Sequence, residues 1–269
     1  METLKEAGFR APMQKNIRDE IWLKLIGNLS FNPISVLTGA TLEQICNDIG
    51  TEAIVREMMT EAKLIAERKI IGWFQNGSEY GPRALGSRSI LGDPRSEKMQ
   101  KNLNLKVKYR ESFRPFAPSV TFDDANDWFN LNQESPYMLI VAQVIEEKKI
   151  AIKEEDKKLF GIEKLNIKRS EIPAVTHVDY SSRIQTVHKE TNEKYYNLIK
   201  KFKEATGCPV LINTSFNVRG EPIVNTPEDA FNCFMGTELD TLVIGNCFLK
   251  KNQQNLLLKK DYRNKFELD

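Results

Sequence analysis

Hydrophobic residues recur every three or four positions between Asn16 and Arg68, which is the spacing of one face of a helix. Asn16, Thr41 and Thr51 each precede such a stripe, and their side chains suit the position before a first helical turn. The pattern therefore predicts three helices, and no strand, in this part of the chain.

The pattern changes at residues 70–74, where a short apolar run is followed at once by a stretch rich in glycine and arginine. We place a boundary between two units at residues 66–70, which divides the chain into a helical segment, 1–68, and a second domain, 69–269. Besides residues 70–74, strands are predicted at 138–144, 210–213 and 241–244. Helices between the strands indicate an α/β domain.

Two helices of this domain carry clear signals. One has Tyr196, Ile199 and Phe202 on its inward face, and another begins at Thr226-Pro227, since proline suits the first helical position. A stretch rich in lysine and glutamate, residues 146–169, is predicted to be a solvated excursion from the core.

The composition is that of an ordinary globular protein, with 41% hydrophobic and 28% charged residues. A net charge of +2 argues against a nucleic-acid-binding protein, and no apolar run approaches the roughly 20 residues that a membrane span requires. The four cysteines lack metal-type spacing and there are only two histidines, so we expect no bound transition metal and a cytoplasmic protein with reduced thiols.

Cations are densest between Gly81 and Arg114. Guanidinium groups bind phosphate in a bidentate fork, and lysine adds a mobile charge, so this cluster suits a phosphorylated small ligand. A solvated basic surface explains the same spacing equally well.

A second cluster, residues 211–220 with the sequence LINTSFNVRG, puts hydroxyls and amides straight after the buried strand predicted at 210–213. Ligands of open α/β sheets bind beyond the carboxyl ends of strands, so this is a candidate ligand site. Asn and Ser are also good turn formers, and an ordinary turn remains the alternative.

Five motifs occur in the order typical of carbamoyltransferases: Gly72–Gln75, Glu79–Gly86, Arg110–Pro118, Pro173–Asp179 and Asn213–Asn217. Over about residues 69–250 the chain thus resembles the carboxyl-terminal domain of the O-carbamoyltransferases of nodulation-factor and antibiotic biosynthesis. The resemblance implies a YrdC-like fold, a mixed twisted sheet with helices. It also implies that the domain binds carbamoyl phosphate and ATP with Mg²⁺ and makes carbamoyl adenylate.

The same resemblance assigns site residues by motif. Two would be catalytic and four would bind substrate or nucleotide: Lys108 and Arg114, then Arg83, Arg183, Ser215 and Asn217. Adenylation requires positioning and cationic stabilisation rather than a protein nucleophile, which agrees with these residue types. The spacing does not show which cation meets which oxygen, so three others can take these roles: Arg88, Arg95 and Lys106.

Residues 10–66 resemble the start of the helical carboxyl-terminal domain of ketopantoate reductases. By that resemblance Lys24 matches the catalytic lysine, and Asn28 and Asn32 match the asparagines on the substrate side, all as vestiges. We find neither the dinucleotide-binding domain of the reductases nor the transfer domain of the carbamoyltransferases. Reductase activity should therefore be lost, and carbamoyl transfer should need a separate acceptor-binding chain.

Two interpretations remain open. The first is a carbamoyl phosphate and ATP-binding module that dimerises through its amino-terminal helices. The second is an inactive product of gene fusion or truncation, since Leu64–Ala66 leads into Lys69–Trp73 in a way that suits both families.

Overall fold

The computed structural model describes residues 62–259, 261–262 and 266. The three predicted amino-terminal helices, the dimer expected through them, and Lys24, Asn28 and Asn32 lie outside the described residues.

A mixed sheet of eight strands forms the centre of the described part, in the order β4-β5-β3-β6-β2-β1-β7-β8. The strands are β1 (Ile71–Phe74), β2 (Arg88–Gly92), β3 (Ala117–Thr121), β4 (Ile140–Gln143), β5 (Ser181–Val187), β6 (Val210–Ser215), β7 (Thr241–Ile244) and β8 (Cys247–Lys250). The pairs β1–β7 and β3–β5 are parallel and the other neighbours are antiparallel. The predicted α/β class with a mixed sheet is therefore confirmed.

In the described residues after β1, the helices are α1 (Met99–Leu103), α2 (Ile162–Leu165), α3 (Glu193–Thr206) and α4 (Pro227–Gly236). A π-helical turn, Asn104–Lys108, continues α1 and ends at Tyr109, whose φ is 48°. Such turns are rare and frequently mark functional sites. None of the helices in the described ranges is long and apolar enough to cross a membrane.

The ends of the two longest helices follow from their sequences. The Asn192 side chain accepts from the backbone N–H of Tyr195 at the start of α3, and Gly207, with φ of 77°, ends it. Thr226 and Asp229 form a reciprocal capping box at the start of α4, as the sequence predicts.

The inward face of α3 differs from the prediction at one residue. Ile199 and Phe202 are fully buried as expected, but the buried aromatic of the first turn is Tyr195. Tyr196 faces inward only in part: it is half-buried and packs against the core, while its hydroxyl donates to Asp123. Adjacent tyrosines differ by about 100° around a helix, so the apolar stripe alone did not separate them.

The core lies between this sheet and α3 and α4. Its largest fully buried side chains include Tyr195, Phe202, Phe216 and Phe234. A helical turn at residues 62–66 contributes Ala62 and Ile65 to the buried set.

Candidate anion-binding site

Lys108, at the end of the π-helical turn, lies in a cage of oxygen atoms from the end of β6. Its amine donates to the Ser215 carbonyl, to Ser215 Oγ at 3.1 Å, to the Asn217 carbonyl at 3.0 Å and to Asn217 Oδ1 at 2.8 Å. The residue is only 3% exposed. Three residues that the sequence predicts to act together are therefore in direct contact.

Every oxygen in this cage is neutral, which sets the electrostatics of the lysine. Burial lowers the pKa of Lys108 to about 7, the neighbouring Arg110 contributes to the lowering, and the more distant Glu221 opposes it. An amine with this pKa is partly charged at neutral pH and has no carboxylate bound to it. It can therefore favour an added anion nearby.

The turn after β6 is closed by its own hydrogen bonds. Asn217 Nδ2 donates to the Glu221 carbonyl at 2.6 Å, and the Val218 backbone donates to Glu221 Oε2 at 2.9 Å. Ser215 Oγ donates to Asn217 Oδ1 at 2.7 Å. These contacts fix the orientation of the Asn217 amide, whose oxygen faces Lys108.

Arg83 lies on the loop between β1 and β2, and this loop is fastened to the sheet. Glu79 Oε1 accepts from the backbone N–H groups of Leu85, Ser87 and Arg88 at 2.7, 2.6 and 3.2 Å. Asn213 Nδ2 donates to the Ala84 carbonyl at 3.1 Å and Gln185 Nε2 donates to the Leu85 carbonyl at 2.8 Å. The Arg83 side chain itself is exposed.

Arg183, on β5, is half-buried near Arg83. Burial lowers the pKa of Arg183, and the charge of Arg83 lowers it further. Within the described residues its buried Nε has no hydrogen-bond acceptor. Two neighbouring guanidinium groups, one with an unsatisfied buried N–H, form a cationic pair that an anion would complete.

The side chain of Ser215, which contacts the Lys108 amine, points to the same face of the sheet as that of Arg183. Alternate residues of a strand point to the same face, so Arg183 shares a face with Gln185, and Ser215 shares one with Asn213. Asn213 Nδ2 donates to Gln185 Oε1 at 2.8 Å, which shows that the two faces are the same. We call this set, Arg83, Lys108, Arg183, Ser215 and Asn217, the anion face.

Arg114 reaches a different local partner. Its Nε lies 2.9 Å from Glu111 Oε2, while the other carboxylate oxygen lies 3.5 Å from Arg219 Nη1. Arg219 also donates from its backbone to the Lys108 carbonyl at 3.2 Å. Arg114 is thus linked to the Lys108 cage through Glu111 and Arg219. Among the described residues, no contact joins Arg114 directly to Ser215 or Asn217.

The three alternative cations have structural partners. Arg88 is buried in β2, donates to the Gln75 carbonyl at 2.6 Å and stacks 3.5 Å from the centre of the Phe74 ring. Arg95 pairs with Asp93 at 2.7 Å and Lys106 with Glu238 at 3.5 Å. The solvated-surface interpretation of the cation cluster is wrong for Arg88 and Lys108, because both are buried.

His177 lies near Arg183 of the anion face. It belongs to the motif Pro173–Asp179, and the sequence predicted no role for it. Its Nδ1 lies 3.0 Å from Ser181 Oγ. Burial lowers the pKa of His177, Arg183 adds to the lowering and Asp179 opposes it. A largely neutral imidazole near Arg183 can accept or donate one hydrogen bond to a ligand.

The sequence also did not predict the roles of Glu79, Gln185 and Glu221. Each acts on backbone groups, and no spacing of side chains reveals such contacts. One signal for the role of Glu79 is present in the sequence: this residue lies inside the motif Glu79–Gly86, three residues before Pro82.

A cavity of about 520 Å³ lies elsewhere, between α4 and the strands β7 and β8. Lys69, Lys250, Lys251, Glu238 and Asp240 are among its lining residues, and none of the predicted site residues is. Within the described ranges, no group of three His, Cys, Asp or Glu side chains is placed to hold a metal ion.

Comparison with known proteins matches residues 62–251 to the family described as the carbamoyltransferase C-terminus. Residues 16–103 also match the family described as the ketopantoate reductase PanE/ApbA C terminal, so the two matches overlap at 62–103. The second match covers a minority of the chain and agrees with the resemblance seen in the sequence.

Individual relatives agree with the first family. The chain is 58% identical over 209 residues to an uncharacterized Synechocystis protein, sll1178, with 77% of this chain and 34% of the relative covered. It is 43% identical over 209 residues to the nodulation protein NolNO of Sinorhizobium fredii, with 77% and 27% covered. It is 31% identical over 200 residues to the 3'-hydroxymethylcephem-O-carbamoyltransferase of Streptomyces clavuligerus, with 74% and 34% covered.

This chain spans about a third of the length of these relatives. The family match itself extends over more than two thirds of the chain and contains every residue of the anion face. The chain belongs to the carbamoyltransferase C-terminus family.

Proposed function

We propose that this chain binds carbamoyl phosphate and ATP and forms carbamoyl adenylate for O-carbamoylation. The observation that carries the proposal is the anion face, where a buried lysine is caged by neutral oxygens and contacts Ser215, whose side chain shares a face of the sheet with one of a pair of arginines. A relative of this family is named as an O-carbamoyltransferase.

The reaction balances in two steps. Water cleaves carbamoyl phosphate into carbamate and phosphate, and a carbamate oxygen then bonds to the α-phosphorus of ATP while the bond to pyrophosphate breaks. Both steps move negative charge between oxygens, so positioned cations stabilise them without a protein nucleophile.

The proposed roles follow exposure. Arg83 and Arg183 would contact the anion directly, because the first is exposed and the second has a free buried N–H. Lys108 would act through Ser215 and Asn217, because its amine is enclosed by their oxygens. Arg114 would supply charge at the border of the site.

The anion face fits the phosphates of ATP, because it offers cations and hydrogen-bond donors for phosphate oxygens. Bound Mg²⁺ supplies charge neutralisation between phosphates. Glu111 and Glu221, the carboxylates near Lys108, are engaged by Arg114 and by Val218, so the phosphates rather than these side chains would hold the ion.

Calorimetric titration of the purified chain with carbamoyl phosphate, and then with ATP and Mg²⁺, tests the proposal, together with an assay of pyrophosphate release. Arg83→Met and Arg183→Met should each weaken carbamoyl phosphate binding about tenfold or more, since a charge-assisted contact contributes roughly 1.5–3 kcal/mol. Arg68→Met removes an exposed arginine outside the anion face and should leave binding unchanged.

A folded wild-type chain that binds neither ligand would overturn the proposal and support the alternative, an inactive fusion or truncation product. Binding that persists in both arginine variants would place the ligand somewhere other than the anion face.

A further inference from the structure

Behind the anion face, the Glu221 carboxylate collects hydrogen bonds from three separate segments. The Val218 backbone donates to Oε2 at 2.9 Å, and the side chains of Cys233 and Tyr262 also hydrogen-bond to this carboxylate. Cys233 belongs to α4 and Tyr262 to the segment after β8. Glu221 therefore joins the turn after β6 to α4 and to the segment after β8.

Tyr262 is seated by a close fit. It is 2% exposed, and its ring packs on Gly236 so closely that a Cβ at that glycine would lie 2.3 Å from the ring. Such a contact leaves the ring little freedom, so its hydroxyl is presented to Glu221 in a fixed direction. Tyr262 lies after the residues matched to the family, 62–251.

The chain of contacts leads from Tyr262 to the lysine cage. Glu221 accepts from Val218 through its carboxylate and from Asn217 Nδ2 through its carbonyl, and the Asn217 oxygen then faces Lys108. The links from Glu221 to Asn217, from Val218 to Glu221 and from Lys108 to Asn217 span 2.6, 2.9 and 2.8 Å, which are ordinary hydrogen-bond distances.

We propose that Tyr262 is a positioning residue of the anion face, which acts through Glu221 to hold the turn 217–221 closed over Lys108. The importance of Tyr262 for catalysis rests on the proposed function. Its effect on the position of the turn does not depend on that function. It is visible in the protonation of Lys108 without any ligand.

Two variants separate the contributions. Tyr262→Phe keeps the ring on Gly236 but removes the donor to Glu221, so the turn loosens, water reaches the amine and the pKa of Lys108 should rise from about 7 by roughly one unit or more. Glu221→Gln keeps an acceptor oxygen but removes a negative charge that raises the pKa of Lys108, so the pKa should fall. The other titratable or charged groups that act on Lys108, Arg110 and Cys233, are unchanged in both.

The measurement is an NMR titration of the ligand-free full-length chain carrying ¹³C-labelled lysine, with the Lys108 resonance assigned by its disappearance in Lys108→Met. Tyr196→Phe is the matched control, because it removes a hydroxyl that donates to Asp123 elsewhere, and it should leave the Lys108 midpoint in place. Opposite shifts in the two variants support the proposal.

The positioning role of Tyr262 is overturned if the titration midpoint of Lys108 is the same in wild type and in Tyr262→Phe. If Tyr262→Phe does not fold, a Lys108 midpoint in Glu221→Gln equal to that of wild type overturns it. Carbamoyl phosphate is then titrated into the same samples. Shifted midpoints in a protein that binds no carbamoyl phosphate would uphold the positioning role while the proposed function fails.

Discussion

At the scale of single residues, burial distinguishes Lys108 and Arg88 from the cations on the surface. Lys108 and Arg88 have the same charge in the sequence as the solvated lysines of residues 146–169. The partners that distinguish Lys108 are 107 and 109 residues away, in Ser215 and Asn217. Spacing could therefore identify the residue types of the site but not which cations are enclosed.

The low pKa of Lys108 makes the free energy of unfolding depend on pH. Between pH 7 and about 10.5 this lysine binds a proton in the unfolded chain but not in the folded one, so its contribution to the free energy of unfolding rises with pH across that window. Below pH 7 both states are protonated and the folded protein carries the full cost of the buried charge.

Lys108→Met should remove this dependence. Urea unfolding at a series of pH values from 6 to 10 should show that the difference between wild type and variant changes in favour of wild type as the pH rises. Lys106→Met, at an exposed lysine paired with Glu238, should run parallel to wild type. Parallel curves for Lys108→Met as well would contradict a buried amine with a pKa near 7.

At the scale of elements, strands with a clear apolar pattern were predictable and polar ones were not. The sequence identifies β1, β4, β6 and β7, together with α3 and α4. It misses β2, which begins with Arg88, β3, which contains Pro118, β5, which contains Arg183 and Gln185, and the short strand β8. Polar side chains interrupt the apolar pattern in β2 and β5, and proline interrupts it in β3.

The loop that carries Arg83 provides a test at this scale. Glu79→Ala leaves three backbone N–H groups without their carboxylate oxygen, so the loop should loosen and carbamoyl phosphate affinity should fall about tenfold, with a stability loss of about 1–3 kcal/mol. Calorimetry and urea unfolding measure the two effects.

Glu97→Ala, which removes a carboxylate paired with Lys168 at 3.4 Å, is the control and should change neither quantity by much. Unchanged affinity in Glu79→Ala would mean that the loop does not hold Arg83 for the ligand.

At the scale of the whole molecule, the chain corresponds to about a third of each relative that we compared. If adenylation belongs to this third, transfer to a hydroxyl acceptor belongs to the part of the relatives that this chain does not span. The purified chain supplied with carbamoyl phosphate, ATP, Mg²⁺ and a hydroxyl acceptor should therefore release pyrophosphate without forming a carbamoylated acceptor, as mass spectrometry would show. Carbamoylated acceptor in that mixture would contradict the division of labour.

The pairing of β1 with β7 has a consequence for how the protein is made. Ile71 pairs with Thr241 and Phe74 with Ile244, so one neighbour of β1 is synthesised 170 residues after it, whereas its other neighbour, β2, already begins at Arg88. Closing so long a loop is slow, and an unpaired strand edge favours aggregation until the loop has closed. A nascent chain on the ribosome therefore cannot cover the second edge of β1 until β7 has left the exit tunnel.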